Sequence, residues 1–254
     1  MIHFVGAGSG AADLITVRGS RLLARADVII YAGSLVNPEL LESRKPECKV
    51  YNSAKMTLEE VFQVMRKAEE EHLETVRLHT GDPCIYGAIR EQMDLLDEAG
   101  IPYDYCPGVS AFCGAASAMN LEYTLPGISQ TVIITRMAGR TPVPEKEDIE
   151  KLADHQATMV IFLSTGMLEE LSRRLMEGGY APETPAAIVY KATWPDEESH
   201  LCTVSTLAQC AQEYGITKTA LILVGETVAQ SGYNRSELYH PEFTTEFRQG
   251  IKKE

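Results

Sequence analysis

The first half of the chain repeats one pattern, in which a short run of β-branched residues precedes a segment with helical periodicity. The pattern passes through IHFVG, TVRGSRLLARA, DVIIYAG, CKVYNS, TLEEVFQVMRKAEEEH, ETVRLHTG, PCIYGAIREQMDLLDEAG, PYDYCPG and SAFCGAASAM. A strand followed by a helix, several times over, predicts a parallel sheet with crossover helices. This order limits the possible folds more than any other feature of the sequence.

Three local signals place helix boundaries within that pattern. Thr57 followed by Glu60 is a capping box at the start of one helix. Asp82 followed by Pro83 predicts a second helix start, with an acceptor at the N-cap and proline at the first helical position. Gly100 is the predicted stop of that second helix.

The pattern changes between residues 120 and 130, where NLEYTLPGIS has no periodicity. Beyond it, hairpin-like runs are mixed with helices, which predicts a mixed sheet. We therefore expect an α/β protein with an N-terminal domain at 1–122 and a C-terminal domain at 123–240. The first sheet should be mostly parallel and the second mixed, and residues 241–254 should form a frayed tail.

Charge and composition exclude several classes of function. The net charge of -13 over 254 residues argues against binding to nucleic acid or to an anionic membrane surface. No apolar stretch is long enough to span a bilayer, and the six cysteines show neither C-x-x-C pairs nor zinc-finger spacing. The chain is thus expected to be a cytoplasmic protein with reduced thiols and no metal site.

The glycine-rich stretch VGAGSGAADL after the first strand satisfies the loose dinucleotide fingerprint through Gly6, Gly8 and Ala11. In a dinucleotide fold the helix begins inside this loop, and an acidic residue follows the second strand. Here the helical pattern begins only near Thr16, and Asp27 precedes the second strand. A nicotinamide or flavin site is therefore the less favoured interpretation.

Two further strand ends carry glycine-rich loops, HTGDPCIYG and CPGVSAF. Ligands of open α/β sheets bind outside the carboxyl ends of the strands. Glycines at single strand ends are ordinary turn chemistry. Together, the three loops predict a binding cleft.

The stretches FVGAGSGAADLITVRGSRLLARADVIIYAGSLV, TGDPCIYG, CPGVSAFCGAASAMN and RTPVPE together resemble the tetrapyrrole methyltransferases of cobalamin biosynthesis. The resemblance extends from Ile2 to about His240, and the Gly-Asp-Pro loop is specific to the superfamily. The runs YAGSLVNPELL, GRTPVPE and YKATWPDE resemble the members that methylate precorrin-4 or cobalt-precorrin-4 at C11. No residue pattern distinguishes these two acceptors.

This resemblance implies a homodimer of two-domain chains that binds S-adenosylmethionine in a cleft between the domains and releases S-adenosylhomocysteine. The implied neighbours of the donor are Gly8, Ser9, Thr80, Gly81, Asp82, Ile85, Ser110, Ala111, Phe162, Leu163, Ala192 and Thr193. The first loop departs from the family, because relatives commonly read G-P-G-D-P where this chain has Gly8-Ser9-Gly10-Ala11-Ala12. Contacts made by that proline or that acid are therefore not carried over.

The implied acceptor bears several carboxylates, so an acidic protein must supply local cations, and Arg suits bidentate pairing with a carboxylate. The candidates for contact with the acceptor are Arg90, Arg136, Arg140 and Lys191, with Tyr31 and Tyr86 as possible flanks of a flat ring. Asp82 is the candidate for the donor's charged amino-acid end or for shaping the loop, with a helix N-cap as its structural alternative. His79 is a candidate acid or base, with a structural role as its alternative.

Three other functions remain open from the sequence. A related enzyme could methylate a different ring carbon, because the choice of position depends on the shape of the cleft. A nucleotide-dependent oxidoreductase would carry a coloured or fluorescent cofactor. A non-catalytic tetrapyrrole carrier would bind the ring without consuming S-adenosylmethionine.

Overall fold

The computed structural model describes residues 1–251, and their contacts divide them into two compact units. The first unit comprises Met1–Ser117 and Lys191–Glu197, and the second comprises the other described residues. The sequence placed the boundary at residue 122, whereas this division falls five residues earlier. It also assigns a short segment of the second half, 191–197, to the first unit.

The first unit is built on a five-stranded parallel sheet with strand order β3-β2-β4-β1-β5. Its elements are β1 Ile2–Gly6, α1 Val17–Arg25, β2 Val28–Tyr31, β3 Lys49–Asn52, α2 Leu58–Glu70, β4 Thr75–His79, α3 Arg90–Glu98, β5 Tyr103–Cys106 and the first part of α4 Ala111–Met119. Side chains alternate between the two faces of the sheet. Phe4 and Ile30 pack with α2 and α3 on one face, while Val5 and Ile29 pack with α1 on the other. The predicted parallel sheet is confirmed.

The second unit contains a five-stranded mixed sheet with order β6-β7-β10-β8-β9. Its elements are β6 Val132–Arg136, α5 Ile149–Ala153, β7 Thr158–Phe162, α6 Leu168–Glu177, β8 Pro185–Tyr190, β9 Glu198–Thr203, α7 Leu207–Glu213 and β10 Ala220–Val224. Strands β6 and β7 are parallel, and the other pairings are antiparallel. Three helices bury their apolar residues, such as Leu171 and Leu207, against Ile161 and Ile188 of this sheet. The predicted mixed sheet is also confirmed.

One predicted helix start is wrong. The capping box at Thr57 and Glu60 is present, and Gly100 follows α3 with a φ of 65°. However, α3 begins at Arg90 and not at Asp82. The residues between form turns in which Gly87 approaches Pro83 so closely that a Cβ would lie 2.2 Å from the proline's carbonyl oxygen.

The predicted tail begins with turns. In residues 241–251 the structure has neither a helix nor a strand, and Arg248 donates hydrogen bonds to the carbonyl oxygens of Leu238, His240 and Phe243. The last three residues of the predicted tail, 252–254, lie outside the described part of the chain.

His3 lies near the amino end of β1, an inner strand of the first sheet, and contacts acids at both neighbouring strands. It is 4% exposed, and its ring nitrogens lie 2.6 Å from Oδ1 of Asp104 and 2.6 Å from Oε2 of Glu74. The two ring nitrogens thus link the side chains of two acids that are distant in sequence. The bond from His3 is the largest cause of a lowered pKa at Glu74.

We expect His3→Gln to reduce stability in a pH-dependent way. A carboxylate whose pKa is lowered by folding stabilises the native state above its unfolded pKa and loses that effect as the pH falls through its folded pKa. Because both acids are about half exposed, we expect the loss at pH 6 to be only about 1 kcal/mol. Urea unfolding of both proteins at pH 6 and pH 3 measures the difference, which should shrink at pH 3. A difference equal at both pH values would contradict this account.

Candidate functional site

Glycines bring the three strand-end loops of the first unit into backbone contact. Gly8 donates to the carbonyl of Gly81 at 3.2 Å, and Gly81 donates to the carbonyl of Gly8 at 2.8 Å. A Cβ on Gly6 would lie 2.6 Å from the Cα of Gly108, and one on Gly108 would lie 2.3 Å from the oxygen of Gly81. Real Cβ atoms do not tolerate such distances. These glycines therefore allow the loops to pack directly on one another.

Asp82 fastens two of these loops together. It is 9% exposed, and its carboxylate accepts hydrogen bonds from the backbone N–H of Cys84 at 2.9 Å and of Gly108 at 2.9 Å. The hydroxyl of Tyr105 donates to the same carboxylate. The helix N-cap role is wrong for Asp82, because no helix begins there. Of its two proposed roles, these contacts favour shaping the loop.

The segment 191–197 packs on the first glycine loop. Thr193 Oγ1 accepts from the backbone N–H of Ala11 at 3.1 Å and lies 3.0 Å from Ser9 Oγ. A Cβ on Gly10 would lie 2.3 Å from Cδ1 of Trp194, so the indole lies directly against this glycine. Thr193 and Trp194 therefore pack against the first glycine loop, which lacks the proline common in relatives.

Several predicted neighbours of the donor lie together in the first unit. Gly8 pairs with Gly81, and a Cβ on Gly81 would be 3.3 Å from the nitrogen of Ala111 and 3.6 Å from the Cα of Ser110. A Cβ on Gly114 would meet both Ser9 and Ala192, at 2.6 Å and 3.4 Å. Thr80 and Ile85 flank the Gly-Asp-Pro turn. The first unit alone thus assembles ten of the twelve predicted residues around three loops.

The other two predicted neighbours, Phe162 and Leu163, belong to the second unit. They lie at the carboxyl end of β7, where Leu163 is 67% exposed. Its φ of 53° lies in the left-handed region, which is unfavourable for a leucine. Backbone strain of this kind clusters at functional sites.

Three other candidate site residues also have backbone conformations in the left-handed region. Tyr86, Lys191 and Thr193 have φ values of 55°, 44° and 69°. Strain of this kind costs on the order of 1–3 kcal/mol per residue and collects at ligand sites. Of the ten non-glycine residues with positive φ in residues 1–251, four are predicted site residues and six are not, so this signal alone does not locate the site.

His79 is poorly suited to act as an acid at neutral pH. Its side chain is 5% exposed and stacks on Phe4 with ring centroids 6.4 Å apart. Burial, followed by the nearby charge of Arg77, lowers the pKa of His79 to about 3. The imidazole is therefore neutral at physiological pH, which favours its structural alternative.

The four candidate cations have different surroundings. Arg90 is exposed and forms ion pairs with Asp94 at 2.8 Å and Asp97 at 2.6 Å. Lys191 pairs with Asp196 at 2.5 Å and lies 5.9 Å from the centre of the Trp194 ring. Binding of an acceptor carboxylate by Arg90 or Lys191 would compete with these acids.

Arg136 and Arg140 belong to the second unit. Arg136 donates to the carbonyl oxygens of Met137, Thr141 and Pro142, so it organises the loop after β6. Arg140 is exposed on that loop. Arg140 is therefore the better placed of the two to meet a ligand.

The two candidate tyrosines also differ. Tyr31 is partly buried against the cluster that lies between α1 and the sheet. Tyr86 is 45% exposed in the turn after the Gly-Asp-Pro loop. Only Tyr86 has a large accessible face.

The sequence reasoning missed three residues that shape the loops. Asn37 is 7% exposed and donates to the carbonyl of Gly10 at 3.0 Å, while Tyr105 donates to Asp82. Trp194 is the third, and as the only tryptophan of the chain it was a visible signal. The others depend on which loops meet in space, which the sequence does not state.

The first loop also decides against a dinucleotide site. Helix α1 begins at Val17 with Thr16 as its N-cap, beyond the glycines, and its first-turn N–H groups therefore do not lie in the loop.

In the described residues no group of three His, Cys, Asp or Glu side chains could hold a metal ion. No helix within residues 1–251 has the length and apolar character needed to cross a membrane.

Known proteins resemble this chain both in sequence and in structure. The model of the Tetrapyrrole (Corrin/Porphyrin) Methylases matches residues 1–208. The Cobalt-precorrin-4 C(11)-methyltransferase of Methanocaldococcus jannaschii is 51% identical over 252 residues, which cover 99% of this chain and 97% of that protein. The X-ray structure of a cobalt precorrin-4 methyltransferase matches with a TM-score of 0.88 and 44% identity, over 89% of this chain and 95% of that one.

A more distant solved structure contains a ligand. The uroporphyrin-III C-methyltransferase of Thermus thermophilus, complexed with S-adenosylhomocysteine, matches with a TM-score of 0.73 and 26% identity, over 89% of this chain and 92% of that one. The family match covers more than half of the chain, and the sequence and structural relatives agree with it. This chain belongs to the tetrapyrrole (corrin/porphyrin) methylase family.

Proposed function

We propose that this protein transfers a methyl group from S-adenosylmethionine to C11 of precorrin-4 or cobalt-precorrin-4 in cobalamin biosynthesis. The observation that carries this proposal is the 51% identity to a C11-methyltransferase over nearly the whole length of both chains. The assembled glycine loops add a physical reason, because they bring backbone groups of three strand ends to one place.

The packing of the three glycine loops supports a donor site in the first unit. Close packing of Gly6, Gly81 and Gly108 brings the loops that follow three strands together at one place. Ser110, Ala111 and Thr193 add small side chains beside it. We infer that these residues bind S-adenosylmethionine.

The donor supplies an activated methyl group on its sulfonium, and the product is S-adenosylhomocysteine. Displacement at that methyl disperses positive charge, so the protein must mainly align the reactants and exclude water. The nucleophile in this proposal is an electron-rich carbon of the acceptor ring. Asp82 then acts by holding the Gly-Asp-Pro turn to Gly108, and His79 remains neutral beneath it.

Mass spectrometry of the tetrapyrrole tests this function. Purified protein is incubated with precorrin-4 or cobalt-precorrin-4, with and without S-adenosylmethionine, and a carbon-labelled donor locates the new methyl by NMR. One added methyl at C11, only with the donor present, is expected. A methyl at another ring carbon would identify a related methylase, and ring binding without transfer would identify a carrier.

The oligomeric state and location are further parts of the proposal. We propose a homodimer in the cytoplasm, as the family resemblance implies. Sedimentation of the purified protein at several concentrations would determine whether the mass is that of one chain or two.

A further inference from the structure

Arg77 is a buried cation without an acidic partner. It lies in β4, is 5% exposed, and donates from Nε to Gln92 Oε1 at 2.9 Å and from Nη1 to the carbonyl of Ile30 at 3.2 Å. Among the described residues it forms no ion pair, and its Nη2 makes no hydrogen bond. Burial lowers its pKa to about 10, which still leaves the group charged at neutral pH. Buried charges are normally paired, so this guanidinium needs an explanation.

Arg77 lines a cleft of about 200 Å³ on the face of the sheet that α2 and α3 cover. Ser53, Thr57, Ala88, Glu91 and Gln92 are among the other residues that line it. The cleft is accessible from solvent, in contrast to the core around it. The unused Nη2 of Arg77 can therefore meet a ligand that enters there.

The amino end of α3 opens beside the same cleft. This helix has nine residues, and its N-cap Ile89 provides no side-chain hydrogen bond to the first turn. Uncapped N–H groups and the helix dipole both favour a negative charge at this position. In contrast, Thr57 and Glu60 cap α2 by reciprocal bonds, so α2 contributes less.

One acidic side chain would repel an anion bound in this cleft. Glu91 lines it and is exposed at its rim. It is not ion-paired with Arg77, so it does not neutralise the buried charge.

We propose that this cleft binds one carboxylate of the acceptor macrocycle, with Nη2 of Arg77 and the first-turn N–H groups of α3 as the donors. The proposal rests on the proposed function, because a tetrapyrrole precursor supplies such carboxylates. A carboxylate offers two oxygens, one for the guanidinium and one for the helix end. In this proposal Arg77, a buried residue in the middle of β4, contributes to the affinity for the acceptor.

A charge placed at the rim tests the proposal without touching the core. Ala88 is exposed with a φ of 48°, a conformation that Asp and Asn tolerate better than most residues. We compare Ala88→Asp with Ala88→Asn, which has similar bulk without the charge. The KM for the acceptor should be about ten-fold higher in the Asp variant than in the Asn variant, with kcat values within about two-fold. Equal KM values would overturn the proposal.

Ala24→Asp controls for net charge, because Ala24 is exposed on α1 at the opposite face of the sheet. It should leave the KM for the acceptor unchanged. If Ala24→Asp raises the KM as much as Ala88→Asp does, the effect is general repulsion and the proposed cleft is wrong.

NMR of the arginine side chains gives a readout that needs no methyl transfer. The Nε–H signal of Arg77 is assigned by its loss in Arg77→Lys and then followed during titration with sodium propionate, inorganic phosphate or the acceptor. A shift with propionate and with the acceptor is expected. A shift with phosphate alone would overturn the carboxylate assignment, and no shift with any probe would overturn the site. If propionate shifts the signal but no tetrapyrrole is methylated, the proposed function fails while the anion site stands.

Discussion

Gly108→Ala is expected to disrupt the meeting point of the three loops. The new Cβ would lie 2.3 Å from the oxygen of Gly81 and 2.8 Å from the Cα of Gly6. Both neighbours are backbone atoms, so no side-chain rotation can relieve the contact. We expect a loss of about 3 kcal/mol or more in the free energy of unfolding, since overpacking usually costs 1–3 kcal/mol where side chains can adjust. Binding of S-adenosylmethionine should fall by more than the change in stability explains.

Urea unfolding and calorimetric titration with S-adenosylmethionine measure these two effects. Gly166→Ala is a matched control, because a Cβ at that glycine meets nothing within 4 Å and its φ is not in the left-handed region. It should change stability by no more than about 0.5 kcal/mol. Gly108→Ala with the stability and donor affinity of the control would mean that the loops can separate without consequence.

Asp82→Ala is expected to have the second-largest effect. The change leaves the N–H groups of Cys84 and Gly108 and the hydroxyl of Tyr105 without their common acceptor. A buried donor left without its acceptor costs about 1–3 kcal/mol, so we expect the loss of this common acceptor to reduce stability by about 3 kcal/mol. Donor affinity should fall with it, because the Gly-Asp-Pro turn loses its connection to β5.

Two other variants separate the possible roles of Asp82. Tyr105→Phe removes one of the three bonds and should cost about 1 kcal/mol. Asp154→Ala, at an exposed aspartate of the second unit, controls for the loss of one negative charge. If Asp82→Ala abolishes donor binding while stability is unchanged, its carboxylate contacts the donor and does not shape the loop.

The sheets were predictable because their signals are local. The alternation of strand and helix in the first half fixes a parallel arrangement, since crossover connections return each strand in the same direction. The mixed second sheet and the family were likewise predicted from the sequence and confirmed. In both sheets, the hydrophobic pattern and short connections suffice to specify the layers.

The predicted helix start at Asp82 is wrong for a specific reason. Asp-Pro is a valid start signal, but the backbone after it turns left-handed at Tyr86 and Ala88, which ends any helix at once. The carboxylate binds Gly108, which is 26 residues away along the chain. Asp82 keeps a local bond from the N–H of Cys84 to one carboxylate oxygen, while the other oxygen accepts a tertiary hydrogen bond that no local pattern contains.

The candidate site shows the same limit. The sequence singled out the three glycine loops, yet their contact surfaces depend on Gly108 and on the segment 191–197, which is distant in sequence from the first loop. Arg77 looked like an ordinary strand residue between two apolar ones. Its missing acidic partner became visible only when every neighbour had been placed.

The packing of Trp194 on Gly10 also gives the protein a built-in optical probe. The chain has one tryptophan, and its indole lies against the first glycine loop beside the ammonium group of Lys191. Excitation at the red edge of the protein absorption band therefore selects a single emitter at a single loop. We expect binding of the proposed donor at this loop to change that emission, which can be followed in real time without a dye or an engineered label.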